Sequence, residues 1–101
     1  MWLLIDDERD LKCDVIARSE KAAKPLLALD IWECVCFDHD LGLSSATGYR
    51  IMKWMLEEGI RPKQIQLVTA NPVGKDNMEK LLIANNYWTK DHFNFFNEEI
   101  K

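Results

Sequence analysis

Short runs rich in apolar residues alternate with longer amphipathic segments along the chain. The apolar runs predict strands that are buried on at least one face, and they cover residues 1–5, 33–37, 65–68 and 87–90. Residues 13–17 alternate between apolar and polar side chains, which predicts a short, half-buried strand. A helix from Asp10 onward is the alternative for that segment.

Three segments between these runs place apolar residues at helical spacing. Residues 19–29 have Ser19 as their predicted N-cap. Thr47 is the predicted N-cap of a second helix, which ends at Gly59. A third helix is predicted to start at Asp76. Strands that alternate with helices in this way indicate an α/β fold built on a parallel sheet.

Composition and charge restrict the class of molecule. The chain has 101 residues, 48% of them hydrophobic, which suits one compact domain over residues 1–101. Its formal net charge is −4 and it has no basic run, so sequence-independent DNA binding is not expected. No apolar stretch has the length of a membrane span, so we expect no membrane anchor and a cytoplasmic location. The three cysteines lack metal-finger spacing and are expected to be buried, reduced thiols.

Polar residues stand where the apolar runs end. Asp6 and Asp7 follow the first strand, Asp38 the third and Thr69 the fourth, while Lys90 closes the last. Because parallel strands of an α/β sheet collect ligands at their carboxyl ends, these side chains are predicted to converge at one edge. Carboxylates suit Mg²⁺, and a lysine offsets the charge of a phosphoryl group. For any single acid, solvated loop charge is the alternative.

The order of these residues resembles the receiver domain of response regulators. The acid pair, Asp38, Thr69-Ala70 and Lys90 match its motif, and together they span most of the chain. The resemblance implies a flavodoxin-like parallel sheet, Mg²⁺ held by the acids, and Asp38 as phosphoacceptor. It also implies that Thr69 and Lys90 contact the phosphoryl oxygens, and that Tyr87 is a switch aromatic that responds to Thr69.

Four sequence segments indicate a resemblance to a narrower family. The sequences LIDDERD, FDHDLG, TGY and TANPVG are similar to the cyclic-phosphate-processing receiver family, a stand-alone receiver-like group. That resemblance implies action on the cyclic phosphates of nucleotides or RNA, in conflict or repair systems.

Further residues near the predicted site are candidates for other roles. His39, between Asp38 and Asp40, is a candidate general acid or base, with a hydrogen-bonded structural histidine as the alternative. Asp40 is a further candidate metal ligand through its backbone carbonyl, with a side chain that faces the loop as the alternative. The basic residues best placed to meet a phosphate or ribose are Arg50, Lys53 and Lys75.

The chain departs from an ordinary receiver at both of its outer helices. Nine residues lie between Ile5 and Val15, fewer than the dozen or so that a parallel crossover needs. Eleven residues follow Lys90, and Asp91 stands where receivers usually have proline. We therefore expect a shortened first helix and a short or absent last helix. Because these two helices cover the same face of a receiver sheet, that face is expected to be thinly covered and partly wet.

Two classes of function remain open. The first is a metal-dependent phosphohydrolase or phosphotransferase, with Asp38 central and a phosphorylated small molecule or cyclic nucleotide as partner. The second is a non-catalytic phosphoacceptor or partner-binding module that works through the Thr69/Tyr87 face, a phage or host conflict factor included.

The aromatic residues of the tail bear on oligomeric state. Phe93, Phe95 and Phe96 are expected to cap the thin face or to form a dimer contact, so we expect a monomer or a weak homodimer. Among the four tryptophans, Trp32 is expected to be the most exposed, because it lies in a polar turn.

Overall fold

The computed structural model describes residues 1–6, 13–37, 47–68 and 72–97. In those ranges the chain forms six strands and three helices. They are β1 Trp2–Ile5, β2 Val15–Ala17, α1 Glu20–Ala28, β3 Cys34–Phe37, α2 Thr47–Glu57, β4 Gln64–Leu67, α3 Pro72–Ala84, β5 Tyr87–Thr89 and β6 Asn94–Asn97. The predicted strand at 13–17 is confirmed by β2, and the alternative helix is wrong there. Strand β6 was not predicted.

All six strands belong to one sheet, in the order β2-β1-β3-β4-β6-β5. The first four strands in this order are parallel to one another. Strand β6 is antiparallel to both of its neighbours, with Phe95 opposite Ile65 on one side and Thr89 on the other. Without β6 the order is 2-1-3-4-5, which is the flavodoxin-like arrangement. The predicted α/β receiver-like fold is therefore confirmed, with one antiparallel strand added to it.

One face of the sheet carries the main hydrophobic core. Alternate residues of each strand point to this face because side chains alternate along a strand. The core joins strand residues Leu3, Ile5, Val35, Phe37, Ile65, Leu67, Tyr87 and Phe95 to helix residues Ala23, Leu27, Ile51, Met52, Met55, Met78 and Leu82. All three described helices thus pack on the same face of the sheet.

The opposite face carries a second, smaller cluster. Leu4, Cys34 and Cys36 form its buried centre. The residues packed around them are Trp2, Cys13, Ile16 and Val68, and no residue of α1, α2 or α3 is among them. Farther along this thin face, Trp88 is 42% exposed. The expected shortage of cover is therefore confirmed for the part of the sheet that the structure describes.

The cysteines of the thin face are free thiols, as expected, and Cys34 and Cys36 are buried. Burial raises the pKa of the Cys13 thiol to about 11, so this group stays protonated at neutral pH. The Sγ atom of Cys36 donates to Oε1 of Gln66 over 3.4 Å. These thiols serve packing and hydrogen bonding.

The local structure of α1 corrects one expectation. Ser19 caps the helix as predicted, because its Oγ accepts from the N–H of Ala22 at 3.1 Å. Trp32, predicted to be exposed, is only 6% exposed. Its Nε1 donates to the carbonyl of Leu26 at 2.8 Å, so the indole folds back on the end of α1 and joins the core. The prediction for Trp32 was wrong because the polar turn around it concealed this contact.

No helix in the described ranges combines the length and the hydropathy needed to cross a membrane.

The contribution of β6 to stability can be measured with two matched phenylalanine variants. Phe95 is 0% exposed in the main core, while Phe96 is half-buried on the thin face. We expect Phe95→Ala to lower the free energy of unfolding by about 3–5 kcal/mol, the cost of emptying a buried phenylalanine site. Phe96→Ala should cost clearly less. Urea denaturation gives both values, and equal losses in the two variants would contradict the placement of Phe95.

Candidate functional site

Strands β1, β3 and β4 end level with one another, which defines a carboxyl edge of the sheet. Ile5 pairs with Phe37, and Phe37 pairs with Leu67. The residues that directly follow these three in the sequence are Asp6, Asp38 and Val68. The chain positions predicted to bind a metal and a phosphoryl group therefore leave the sheet at the same edge.

The structure describes only two of the predicted site residues, Asp6 and Lys90. The others lie outside the described residues: Asp7, Asp38, His39, Asp40 and Thr69.

Asp6 occupies the end of β1, which lies between β2 and β3. Its backbone N–H donates to the carbonyl of Ala17 at 3.0 Å, so the residue continues the pairing of β1 with β2. Asp6 is only 1% exposed, in a part of the fold where nearly all buried residues are apolar. A carboxylate taken out of water must be compensated by hydrogen bonds or a cation. Its oxygens are the hard donors that Mg²⁺ prefers, so Asp6 fits the predicted metal site.

The rest of the predicted metal centre is not described. No group of three or more His, Cys, Asp or Glu side chains within the described ranges is placed to hold a metal ion. The three predicted partners of Asp6 are Asp7, Asp38 and Asp40, and all of them fall in 7–12 or 38–46. Asp6 is therefore the described member of a predicted four-residue set.

Lys90 follows β5 at the far end of the sheet from β2. Because β6 lies between β4 and β5, Lys90 is two strand spacings from β4, or about 10 Å. It is four spacings from Asp6 on β1, about 19 Å, where an order without β6 gives three. The structure thus separates Lys90 from Asp6 by one strand more than the resemblance to receivers implies.

The side chain of Lys90 also faces away from the helical layer. Its Nζ lies 6.0 Å from the ring centroid of Trp88, on the thin face. An open groove of about 480 Å³ on that face is lined by Gln64, Trp88, Lys90, Asp91, Asn94 and Phe96. Lys90 therefore belongs to the surroundings of Trp88.

Asp91 stands where receivers usually have proline, and it accepts hydrogen bonds within the turn after β5. Its Oδ1 accepts from the backbone N–H groups of Asn94 and Phe93, at 2.8 and 2.9 Å. Its Oδ2 accepts from Nδ2 of Asn94 at 2.9 Å. The Oγ1 of Thr89 accepts from the N–H of His92, also at 2.9 Å. These bonds close the turn that sends the chain back as β6, where a receiver continues into a helix.

Tyr87 lies away from the carboxyl edge. It pairs with Asn97, whose N–H donates to the carbonyl of Lys63, just before β4 begins. Its ring is 3% exposed, and its hydroxyl donates to the carbonyl of Pro62 at 2.7 Å. Thr69 follows the other end of β4 in the sequence. The position of Tyr87 is that of a core residue and does not fit the expected switch.

The three basic residues expected near a phosphate have different surroundings. Arg50 forms an ion pair with Glu20. Lys53 is exposed on α2. Lys75 lies in the first turn of α3, and its Nζ is 4.1 Å from the ring centroid of Phe93. Of these three, Lys75 is the one that the structure places next to the end of β4.

A comparison with protein families agrees with the resemblance. A family model described as "Cyclic-phosphate processing Receiver domain" matches residues 1–84. The matched range contains Asp6, Asp38, Thr69 and Lys75, and it ends before β5 and Lys90. No curated protein and no solved structure matches the chain significantly.

The turn at Asp91 makes a prediction about pH. Hydrogen bonds from the N–H and Nδ2 of Asn94, and then from the N–H of Phe93, hold the pKa of the Asp91 carboxyl well below its ordinary value. A lowered pKa stabilises the fold above the ordinary aspartate pKa, and this contribution is lost as the pH falls toward the folded-state pKa. We therefore expect Asp91→Asn to be less stable than the parent at neutral pH, with a gap that narrows from about pH 5 to pH 2.

Urea denaturation across this pH range measures the gap. Asp76→Asn is the matched control, since the exposed Asp76 pairs with Lys80 on the surface of α3 and closes no turn. A stability gap for Asp91→Asn that stays constant down to about pH 2 would contradict the assigned role of the charge.

Proposed function

The chain belongs to the cyclic-phosphate processing receiver family, and from this premise we propose that it binds Mg²⁺ at its carboxyl edge and processes cyclic phosphate groups of nucleotides or RNA. The observation that carries the proposal is the buried carboxyl group of Asp6 at the end of β1. Carboxylate oxygens at the ligand-collecting edge of a parallel sheet are the hard donors that a divalent cation prefers.

In this proposal the acids divide into two roles. Asp6, Asp7 and Asp40 hold the cation together with Asp38, which also acts as nucleophile. When bound, Mg²⁺ reduces the negative charge of the phosphate and of the clustered acids. Thr69 donates a hydrogen bond to a phosphoryl oxygen, and a lysine ammonium neutralises the remaining charge.

The proposed reaction opens the cyclic phosphate by net addition of water. A carboxylate oxygen of Asp38 bonds to phosphorus while one ring P–O bond breaks. The released ribose oxygen takes a proton from His39. Water then cleaves the acyl phosphate, which regenerates Asp38 and leaves a phosphomonoester, and the proton set free restores His39. Two bonds to phosphorus form and two break, so the net reaction consumes one cyclic phosphate and one water.

The alternative, a phosphoacceptor module without turnover, has less support from the described residues. A switch of the response-regulator type needs an aromatic side chain that moves when Thr69 binds the phosphoryl group. Tyr87 is buried in the core, and its hydroxyl donates a hydrogen bond to the carbonyl of Pro62 near the start of β4. This alternative is nevertheless a distinct outcome of the experiments below.

Binding of Mg²⁺ is tested by thermal unfolding. A ligand that binds only the folded state stabilises it by about 2.7 kcal/mol at 100 times its Kd. We therefore expect Mg²⁺ to raise the Tm of the parent chain. In Asp6→Asn we expect the same Tm with and without Mg²⁺, even if the substitution itself changes the Tm. Asp30→Asn is the control, because Asp30 is exposed and lies between α1 and β3, at the opposite edge of the sheet. An equal increment in Asp6→Asn would exclude Asp6 as a ligand.

Catalysis is tested by incubation with 2′,3′-cyclic nucleotides and Mg²⁺, and by chromatography of the products. We expect phosphomonoesters from the parent and from Asp30→Asn, and none from Asp38→Ala or in the presence of a chelator. Replacing a nucleophile removes the covalent route, so the loss should be a factor of at least about 10³ in kcat. If there is no turnover and acetyl phosphate labels Asp38, the proposed enzymatic activity is wrong and the protein is a phosphoacceptor module.

A further inference from the structure

The inserted strand β6 leaves the proposed site in need of a different cation. A phosphoryl group among three or four carboxylates carries more negative charge than one Mg²⁺ neutralises, so a lysine or arginine is required nearby. Lys90 has the position in the sequence that the receiver motif gives to this lysine. In the structure it stands beyond β6, two strand spacings or about 10 Å from β4, with its ammonium beside Trp88 on the thin face.

Lys75 is held much closer to the end of β4. The N–H of Leu67, the last residue of β4, donates to the carbonyl of Phe93 at 2.8 Å, so Phe93 lies beside the carboxyl end of that strand. The Nζ atom of Lys75 lies 4.1 Å from the ring centroid of Phe93, which is within the range of a cation–π contact. The ammonium of Lys75 is thus placed near the carboxyl end of β4. In the sequence, Thr69 comes two residues after β4, and Asp38 directly follows β3.

The surroundings of Lys75 keep its charge available. In the described part of the chain, three basic side chains of the helical layer pair with carboxylates. Lys24 and Arg50 pair with Glu20, and Lys80 pairs with Asp76. The ammonium of Lys75 contacts an aromatic ring instead, and within the described ranges it has no carboxylate within ion-pair distance. A ring orients a cation without cancelling its charge.

The position of Lys75 in the chain supports the same assignment. It lies in the first turn of α3, six residues after Thr69, so both residues flank one short connection from β4. The amino end of a helix adds positive potential at this place. Lys75 is also inside the range matched by the family model, whereas Lys90 is outside it.

We propose that Lys75, and not Lys90, is the cationic residue that binds the phosphoryl oxygens at the carboxyl edge. This inference rests on the proposed function, because it names the residue that completes that site. The ammonium donates hydrogen bonds to non-bridging oxygens of the phosphate, and Phe93 acts as a positioning residue that holds the side chain over the edge. The change from β5 to α3 as the source of the lysine follows from the insertion of β6.

The test compares three lysine-to-glutamine variants of the full chain, Lys75→Gln, Lys90→Gln and Lys80→Gln. Two quantities are measured for each: kcat/KM for 2′,3′-cyclic AMP with Mg²⁺, and the Kd of inorganic phosphate with Mg²⁺ by calorimetry. We expect Lys75→Gln to lose about 100-fold in kcat/KM, as removal of one charge-stabilising donor does, and to bind phosphate at least tenfold more weakly. Lys90→Gln and Lys80→Gln should remain within about threefold of the parent.

Further variants separate phosphate binding from folding. Lys75→Arg should recover part of the phosphate affinity because it restores the charge. Phe93→Leu should weaken phosphate binding severalfold while Lys90→Gln does not. Unfolding in urea should be similar for all three glutamine variants, since each replaced side chain is at least partly exposed.

Two results would overturn the assignment. One is a loss in Lys90→Gln as large as that in Lys75→Gln, and the other is phosphate affinity unchanged in Lys75→Gln. A parent chain that binds Mg²⁺ and phosphate without turnover contradicts the proposed activity, and the phosphate affinities still decide between the two lysines. A parent chain that binds no phosphate in the presence of Mg²⁺ contradicts the assignment of Lys75 as well.

Discussion

The pairing of β6 with both β4 and β5 is the constraint on which the rest of the C-terminal half depends. Strand β6 supplies hydrogen-bond partners to the facing edges of β4 and β5. Its residue Phe95 is fully buried in the main core. A receiver brings β5 against β4 directly and covers the sheet with a last helix. In this chain the turn at Asp91 sends the backbone into the sheet as β6, and this strand separates β5 from β4.

The thin face shows how the sheet remains stable with few apolar side chains on that side. Where β4 and β6 meet, Oδ1 of Asn94 accepts from Nε2 of Gln64 at 3.0 Å and from Nε2 of Gln66 at 3.1 Å. These amides replace the apolar contacts that a covering helix requires, and they are compatible with water. The rings of Trp88 and Phe96 lie 5.1 Å apart and cover each other in part. The main core carries most of the hydrophobic burial, and the thin face is held mainly by polar and aromatic contacts.

Local sequence patterns predicted the elements that depend on local rules. The predicted strands 33–37 and 65–68 and the cap at Ser19 agree with β3, β4 and α1 to within a residue or two. The start of α3 at Pro72 instead of Asp76 differs because proline suits the first turn of a helix as well as a loop. Among the site residues, Asp6 could be placed from the sequence, since an acid after an apolar run ends a buried strand.

Strand β6 and the position of Lys90 could not be predicted in this way. The segment of β6 has aromatic residues between asparagines, a pattern that fits a loop, a helix end or an edge strand equally well. The segment forms a strand because it pairs with both β4 and β5. These long-range pairings cannot be read from a short stretch of sequence. The match to motif order assumed that the last strand lies beside β4, and one long-range pairing changes that geometry without altering any motif residue. In this chain the ammonium of Lys75 lies over the ring of Phe93, next to the end of β4, whereas β6 separates Lys90 from that strand.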